Sequence, residues 1–458
     1  MLPIGHKLVE TLKPMEGGGV VITEEPCWLT VGQTRRRESK CRVVFRVHKF
    51  PSAEVELPDL EILRELRLSD QRPIRVELSK SRFLLEDIEP KDVALITHRL
   101  GRDYPYTYSV RQWEPIRVAR NEPIDYLEAL IYNHPRFSFK GNLPNGKESI
   151  DLGVAEWEFN IAPLGREFGP LRRALATPWH DPTHVLRIRP TAGGVQPDEI
   201  EQAVFIFREF LSFAWGRDIG IALAHGYNGA DLAFAHWGTT KLSPIVKPVA
   251  QQANWFEPSH AEVFPDVLSG FWRAHTDPDW KDTVEWAVYW YLSASAVSQN
   301  SETSLLASQA GLESLGMKLI QNTDSLSTIK AVKNKYPSAR NRIRRTLDIL
   351  GIPLDVPNDL ARLMAQAVTR EWEDGPQALA DTRNSLAHPK KGKEARIAFE
   401  AAQLGLWYLE LALLGLFDYR GPYCNRTILN GLRGATEPVP WEMARRSMDS
   451  VPPVPEGK

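Results

Sequence analysis

The sequence predicts a multidomain α+β protein, with a β-rich N-terminal region followed by an all-α helical bundle. Three observations predict it. The chain has 458 residues, more than one ordinary core organises. Up to about residue 195 its apolar residues come in short β-branched or alternating segments separated by turn residues. Beyond Trp280 no convincing strand remains, and apolar residues recur at helical spacing.

The expected strands run from Gly19 to Thr23, Cys27 to Val31, Cys41 to His48, Pro73 to Leu78, Val93 to His98 and Pro115 to Ala119. In the third of these, Arg42, Arg46 and His48 share one side while Val43, Phe45 and Val47 share the other, so one face is buried and one is wet. Residues 139–147 read as a hairpin tip or exposed insertion before a strand from Ala155 to Ile161. From Pro197 the pattern changes. Asp198, Glu199 and Glu201 suit the first turns of a helix reaching Trp215, and Gly216 is placed to end it. Strands from Ile219 to Ala224 and Asp231 to Trp237 follow, then a connector from Ser243 to Pro258. Helices are expected from Asp282 to Ala296, Ser304 to Gln321, Arg340 to Leu350, Asn358 to Glu373, Pro376 to Ala387 and Lys393 to Phe417. This divides the chain into a β-rich domain at 1–195, a mixed segment at 196–278, a helical domain at 279–425 and a proline-punctuated tail at 426–458.

Bulk composition excludes several classes. The net charge of -2 argues against a uniformly basic nucleic-acid binder, so any such contact is a local patch. Cys27, Cys41 and Cys424 are too few and too scattered for a disulfide framework or zinc cluster, which fits a reducing cytoplasm. The N-terminus has no apolar signal core. The apolar run from Leu404 to Phe417 is broken by Glu410 and is shorter than the roughly 20 residues of a membrane span. A buried helix, and no membrane, is the expectation.

The chemistry-bearing segment is Arg383-Asn384-Ser385-Leu386-Ala387-His388. Were the helix to persist to His388, five residues would turn through about 500°, leaving both side chains within one half of the helix circumference. Metal-free RNA cleavage needs a base for the ribose 2′-hydroxyl, an acid for the leaving oxygen and a fixed cation for the phosphate. His388 and Arg383 are the right types. An arginine followed at this range by a histidine arises by chance roughly two to three times in such a chain, and Arg42 to His48 and Arg173 to His180 are such accidents, one in a strand and one across Pro178. Only Arg383 has Asn directly after it in a helical setting.

That combination resembles the motif of HEPN-domain ribonucleases, in which Arg, a polar residue, three variable residues and His lie in an α-bundle. The resemblance covers about residues 280–425, where Leu306 to Leu315 also looks like an early helix of that family. In layout the chain is similar to abortive-infection HEPN proteins of the ApeA-like kind. The resemblance implies a homodimer with two motifs facing one cleft, cutting RNA without metal or cofactor to leave a cyclic phosphate and a 5′-hydroxyl, in antiphage defence or as a toxin. It also implies that Asn384 orients the site. Its N-terminal region would bind a trigger or regulator. The alternative is a non-catalytic dimerisation scaffold with a β-rich sensor or ligand-binding domain.

A basic cluster stands nearby: Lys330, Lys333, Lys335, Arg340, Arg342, Arg344 and Arg345, with no acid between Asp324 and Asp348, and Lys390, Lys391 and Lys393 after the motif. Phosphate attraction is its natural use, with a solvated charged face as the plainer reading. Tyr336 is placed to stack on a base or to pack beside Pro337. Glu313 and Asp381 are candidates to steer Arg383 or polarise His388. His180 and His184 flank Asp181 at a metal-like spacing, but Pro182 forbids a regular helix there, and a loop is the simpler reading. Gly17-Gly18-Gly19 lacks the lysine of a phosphate-binding loop. The tryptophans, Trp215, Trp237, Trp255 and Trp272 among them, are expected mainly in the core.

Overall fold

Alternating apolar residues build two antiparallel sheets in the N-terminal half, and helical periods build the rest. The computed structural model describes residues 5–15, 18–31, 34–47, 51–57, 74–78, 84–88, 93–96, 107–111, 116–120, 122–135, 149–238, 242–243, 254–296, 300–387, 395–428 and 435–442. The hairpin tip expected at 139–147 lies outside these residues. The chain divides into two units, one of Met1–Arg136, Asn142–Arg208 and Ile219–Lys247, the other of Phe137–Gly141, Glu209–Asp218 and Pro248–Lys458.

In the first unit, α1 (His6–Thr11) precedes a sheet made of β1 (Lys13–Pro14), β2 (Val20–Val31), β3 (Thr34–Val47), β4 (Pro51–Leu57), β5 (Ile74–Leu78), β6 (Leu84–Ile88), β7 (Val93–Ile96) and β8 (Thr107–Arg111). Their order is β6-β5-β2-β3-β4-β8-β7, with β1 on β2. Two strands expected on either side of Pro26 are one, β2. Register shifts between Val21 and Thr23 and between Glu25 and Cys27 let the chain pass a residue with no N–H to donate.

A second sheet joins β9 (Ile116–Ala119), β10 (Tyr126–Tyr132), β11 (Ile150–Val154), β12 (Trp157–Pro163), β13 (Pro182–Pro190), β14 (Gly220–Asn228) and β15 (Asp231–Trp237) in the order β11-β12-β13-β10-β14-β15-β9. Sequence periodicity missed β10 and β13. Both are buried on both faces for most of their length, so neither alternates. Leu8, Leu12, Phe45, Leu130, Tyr132, Phe168, Val185 and Trp237 form one apolar cluster with α2 (Gly169–Leu175). α3 (Pro197–Trp215) begins in this unit, where Phe207 stacks on Phe159 with ring centres 4.1 Å apart. Gly216 ends the helix with φ +62, as expected.

The mixed segment at 196–278 is divided between the units. β14 and β15 belong to the first, whereas residues 209–218 and everything from Pro248 belong to the second. The reason is aromatic packing: Phe213 stacks on Trp255 at 5.2 Å and meets the edges of Tyr291 and Phe417 at 5.4 and 5.5 Å.

The second unit is helical: α4 (Phe264–Thr276), α5 (Lys281–Ala296), α6 (Ser301–Thr323), α7 (Ile329–Lys335), α8 (Ala339–Ile349), α9 (Ala361–Thr369), α10 (Gly375–Ala387) and α11 (Ala395–Leu416). α4 and α7 were not anticipated. Side-chain caps mark three starts, with Asn300, Thr328 and Ser338 each accepting the amide three residues on. α9 is shorter than the helix expected from Asn358 to Glu373. A strandlike pair, β16 (Pro422–Tyr423) and β17 (Glu437–Pro438), lies beyond the last helix, where no strand was expected.

α11 corrects the membrane argument. Its stretch Ile397–Leu416 is long and apolar enough, by length and composition, to cross a membrane, yet 94% of its apolar window is buried within the protein. Glu410 in its middle is fully buried and ion-paired. Its Oε2 accepts from Arg426 Nε at 2.7 Å, and its Oε1 accepts from Tyr291 Oη at 3.0 Å and from the Trp255 amide at 3.3 Å. Burial opposes a charge on Arg426, but Glu410 outweighs it and holds the guanidinium protonated. A tail beginning at 426 therefore starts too early: Arg426 and Thr427 are core residues, and Trp441 donates to the Tyr419 carbonyl at 2.8 Å.

Removing one member of a buried ion pair strands the other. Arg426→Met should lower unfolding free energy by about 3–5 kcal/mol, read as a shift of the urea midpoint. A double variant with Glu410→Met should recover much of that loss.

Candidate functional site

α10 carries the Arg383 motif, and its start explains its placement. Asp374 Oδ1 accepts from the Gln377 amide at 2.9 Å, capping the helix, while Ala378, Leu379 and Thr382 form its buried face. Gly375 and Gly405 set how closely α10 meets α11. A Cβ on Gly375 would strike the Tyr408 hydroxyl and approach the Leu354 carbonyl to 3.0 Å; one on Gly405 would strike Ser308 and approach Leu379 to 3.1 Å. Residue 375 thus lies level with 408, and 379 with 405. The two helices run antiparallel, and α6 closes on the same spot through Ser308.

At the far end of α10, Arg383 is half-buried and Asn384 exposed. Arg383 Nη1 donates to Asn384 Oδ1 at 3.3 Å, and no carboxylate among the described residues pairs with it. Asp381 and Glu313, the candidate steering acids, make no bond to it. Glu313 instead accepts from Arg342 at 2.8 Å and from Gln309 at 3.1 Å. His388, Lys390, Lys391 and Lys393 lie outside the described residues.

The basic cluster separates into two sets. Arg344 Nη2 reaches Glu373 at 2.8 Å and its Nε pairs with Asp374; Arg345 holds Asp324 at 2.7 Å and Asp348 at 2.6 Å; Lys335 holds Asp324 at 2.8 Å. With Arg342, these four cations are committed to α6, α7, α8 and the turn before α10. The acids come from the borders of the acid-free stretch and from elsewhere in the chain, which no local charge count reveals. Lys330, Lys333 and Arg340 are exposed and make no ion pair among the described residues. Tyr336 is not free to swing as a stacking ring, because its hydroxyl donates to Asp324 at 2.6 Å. Hydrogen bonds from Lys335, Tyr336 and Arg345 hold the Asp324 carboxyl well below the usual carboxylate range.

In the first unit, His180 and His184 do not converge on a metal-like set. His184 meets the edge of His134 with ring centres 4.6 Å apart, Asp181 is held by Arg172, and among the described residues no three His, Cys, Asp or Glu side chains gather as a metal site. Burial pushes the His180 pKa down. Trp237, Trp255 and Trp272 are core residues; Trp215 is half-buried, and its ring meets the edge of Phe256 at 5.1 Å.

Sequence reasoning missed a polar row across β13, β10 and β14, where Arg187 and His225 both lie opposite Glu128. Glu128 Oε1 accepts from Arg187 Nε at 3.1 Å and from the Gly5 amide at 2.8 Å. Trp237 Nε1 donates to His225 Nε2 at 2.9 Å, and burial pushes that imidazole down to about 4. The only sequence signal was a charge inside an apolar run, the same signal that Glu410 shows.

Two family models match the chain: residues 119–248 match the YopA central domain, and residues 277–436 match the YopA C-terminal domain. Over 251 residues the chain is 27% identical to "SPbeta prophage-derived uncharacterized protein YopA" from Bacillus subtilis (strain 168), covering 53% of this chain and 54% of that protein. The chain therefore spans about half the length of this curated relative. No solved structure matches.

The depressed Asp324 pKa has a definite pH consequence. A carboxyl whose folded pKa lies below its unfolded value stabilises fully above about pH 4 and loses that contribution as pH falls. Asp324→Asn should lower Tm by a few degrees at neutral pH and should weaken the fall in Tm below about pH 4. An unchanged acid limb would show that the α6–α8 network contributes nothing to folding.

Proposed function

We propose that the helical unit is a metal-independent endoribonuclease of the HEPN type, working as a cytoplasmic homodimer in antiphage defence or as a toxin. The observation that carries this reading is the uncommitted Arg383. Arg342, Arg344, Arg345 and Arg426 each hold a carboxylate, whereas Arg383 stands at a helix end beside Asn384 and pairs with no carboxylate among the described residues. A guanidinium left free of acids is available to a phosphate.

In this reading Arg383 binds and stabilises the phosphate as negative charge grows on it. Asn384, through its bond to Nη1, sets the rotation of the guanidinium plane. His388 moves protons between the 2′-hydroxyl and the leaving 5′-oxygen. The protons pass through side chains, so the cleavage step asks for no metal. Among the described residues of the basic cluster, Lys330, Lys333 and Arg340 are the cations available to draw in an RNA backbone. The prophage origin of the Bacillus relative accords with a role in conflict between phage and host.

A second reading, the non-catalytic dimerisation scaffold, has its own observation. Trp286 and Tyr289 stand exposed on α5, an aromatic surface of the kind that subunit interfaces use.

Purified protein incubated with total RNA in EDTA should cleave it, and Arg383→Ala and His388→Ala should each lower the rate by at least about a hundredfold with unchanged Tm. Cleavage that survives Arg383→Ala overturns the ribonuclease reading; intact RNA beside a stable dimer favours the scaffold. Replacing Lys330, Lys333 and Arg340 together by Ala should reduce the salt slope of RNA binding by about two. Arg345→Ala should instead act on stability.

A further inference from the structure

We propose that residues 443–449 of this chain seat in a charged groove of the helical unit, with arginines on its aspartates and an aspartate on its unpaired arginine. It holds whether or not the unit cleaves RNA. Three observations carry it: the groove itself, the point at which the chain reaches it, and the order of the charges that follow.

The groove has a volume of about 390 Å³. Asp266, Ser269 and Arg273 of α4 line one side, and Asp418 and Arg420, just past α11, line the other. Gly270 forms its base, since a Cβ there would strike the Phe417 carbonyl. Arg420 is already bonded to Asp418 at 3.1 Å. Asp266 and Arg273 make no ion pair among the described residues. Seven residues apart, they share one side of the helix at a spacing of about 10.5 Å, too far to pair with each other. An acid and a base are thus held in line, each open to a partner of opposite sign.

The chain arrives at the acidic end of that line. Trp441 donates to the Tyr419 carbonyl at 2.8 Å, and Glu442 comes within 4.0 Å of Arg420 Nε. Burial and, after it, the charge of Asp266 push the Tyr419 phenol up, so Asp266 stands at the Tyr419 end of α4; Gly270 stands at Phe417, and Arg273 lies beyond. A chain leaving Glu442 along the groove therefore meets Asp266 before Arg273.

Residues 443–449, which lie outside the described residues, read Met443-Ala444-Arg445-Arg446-Ser447-Met448-Asp449. Their charges come in the order the groove asks for, positive and then negative. In an extended chain Asp449 lies about 10 Å beyond Arg446 and about 13 Å beyond Arg445, which brackets the spacing on α4. Neighbouring side chains point to opposite sides, so one arginine faces Asp266 and the other faces Asp418 across the groove. A slip of three residues would set Asp449 against Asp266, like charge on like.

The test is disulfide trapping in the full chain. Ser269 lies between Asp266 and Arg273, and Ser447 between Arg446 and Asp449, so a Ser269→Cys, Ser447→Cys double variant should cross-link within one chain under mild oxidation. Ser447→Cys alone sets the background, since Cys27 and Cys41 are buried and Cys424 is the one native thiol partly exposed. Adding Asp266→Lys and Arg273→Glu should slow the cross-link by about fivefold at low salt, with unchanged Tm. Adding Arg446→Glu and Asp449→Lys to those reversals should restore it. A cross-link no faster than background, or one indifferent to the reversals, overturns the proposal. A cross-link that joins two chains assigns the groove to a second copy and overturns it equally.

Discussion

The second unit depends on one buried charge. Glu410 is fully buried in the middle of α11, a mostly apolar helix that also buries Glu400 and Gln403, and an ion there is tolerable only if its oxygens are filled by donors. Arg426, Tyr291 and the Trp255 amide fill them, and burial keeps the Tyr291 phenol neutral by pushing its pKa far up. These donors come from α5, from the segment before α4 and from the chain after α11. Sliding α11 by one residue would separate the carboxylate from all of them. The register of α11 is therefore chosen by electrostatics, while its apolar surface supplies the driving force without distinguishing one register from the next. Once α11 is placed, the glycine contacts at 375 and 405 place α10, and with it Arg383.

Arginine is used in three ways in this chain, and the differences are set by surroundings. Arg187 and Arg426 are buried against a single carboxylate and act as positional locks. Arg342, Arg344 and Arg345 tie α8 to its neighbours through Glu313 and Glu373, which reach solvent, and through Asp374 and Asp324, which are nearly enclosed; Arg345 shares Asp324 with Lys335. Arg383 has neither kind of partner among the described residues. Charge balance across the whole chain hides this distribution, because a net charge of -2 is compatible with every cation paired or with several left over.

Much of the architecture was legible because its signals are local. Asp198 and Gly216 bracket α3; Asn300, Thr328 and Ser338 are capping residues at helix starts; the division between alternating and helical spacing separates the sheets from the bundle. What was illegible is nonlocal. β10 and β13 are covered on both faces, so the period of two that betrays a strand is absent. The basic cluster looked free because Glu313, Glu373 and Asp374 are distant in sequence, and Arg426 looked like part of a tail because its partner is sixteen residues away. At the candidate site, residue types and the helical setting could be read in advance. That Arg383 pairs with no carboxylate among the described residues could not.

The two units solve the same problem with the same device. On β10, as on α11, a nearly unbroken apolar run could shift without much loss of buried area, and a one-residue slip in a strand turns every side chain to the opposite face. Glu128 forbids that slip, since it would leave Arg187, the Gly5 amide and the row shared with His225 and carry a bare carboxylate into the buried face that Leu127, Ala129 and Ile131 line. His225 adds no competing charge: Trp237 donates to its Nε2, and burial keeps the ring neutral near physiological pH. The polar row thus reads as a register lock of the sheet. Its near-complete burial separates it in kind from the end of α10, where Arg383 is half-buried, Asn384 is exposed and no carboxylate among the described residues pairs with the guanidinium. Buried polar groups specify the fold, and a half-buried cation that pairs with no acid among the described residues is where the proposed chemistry would begin.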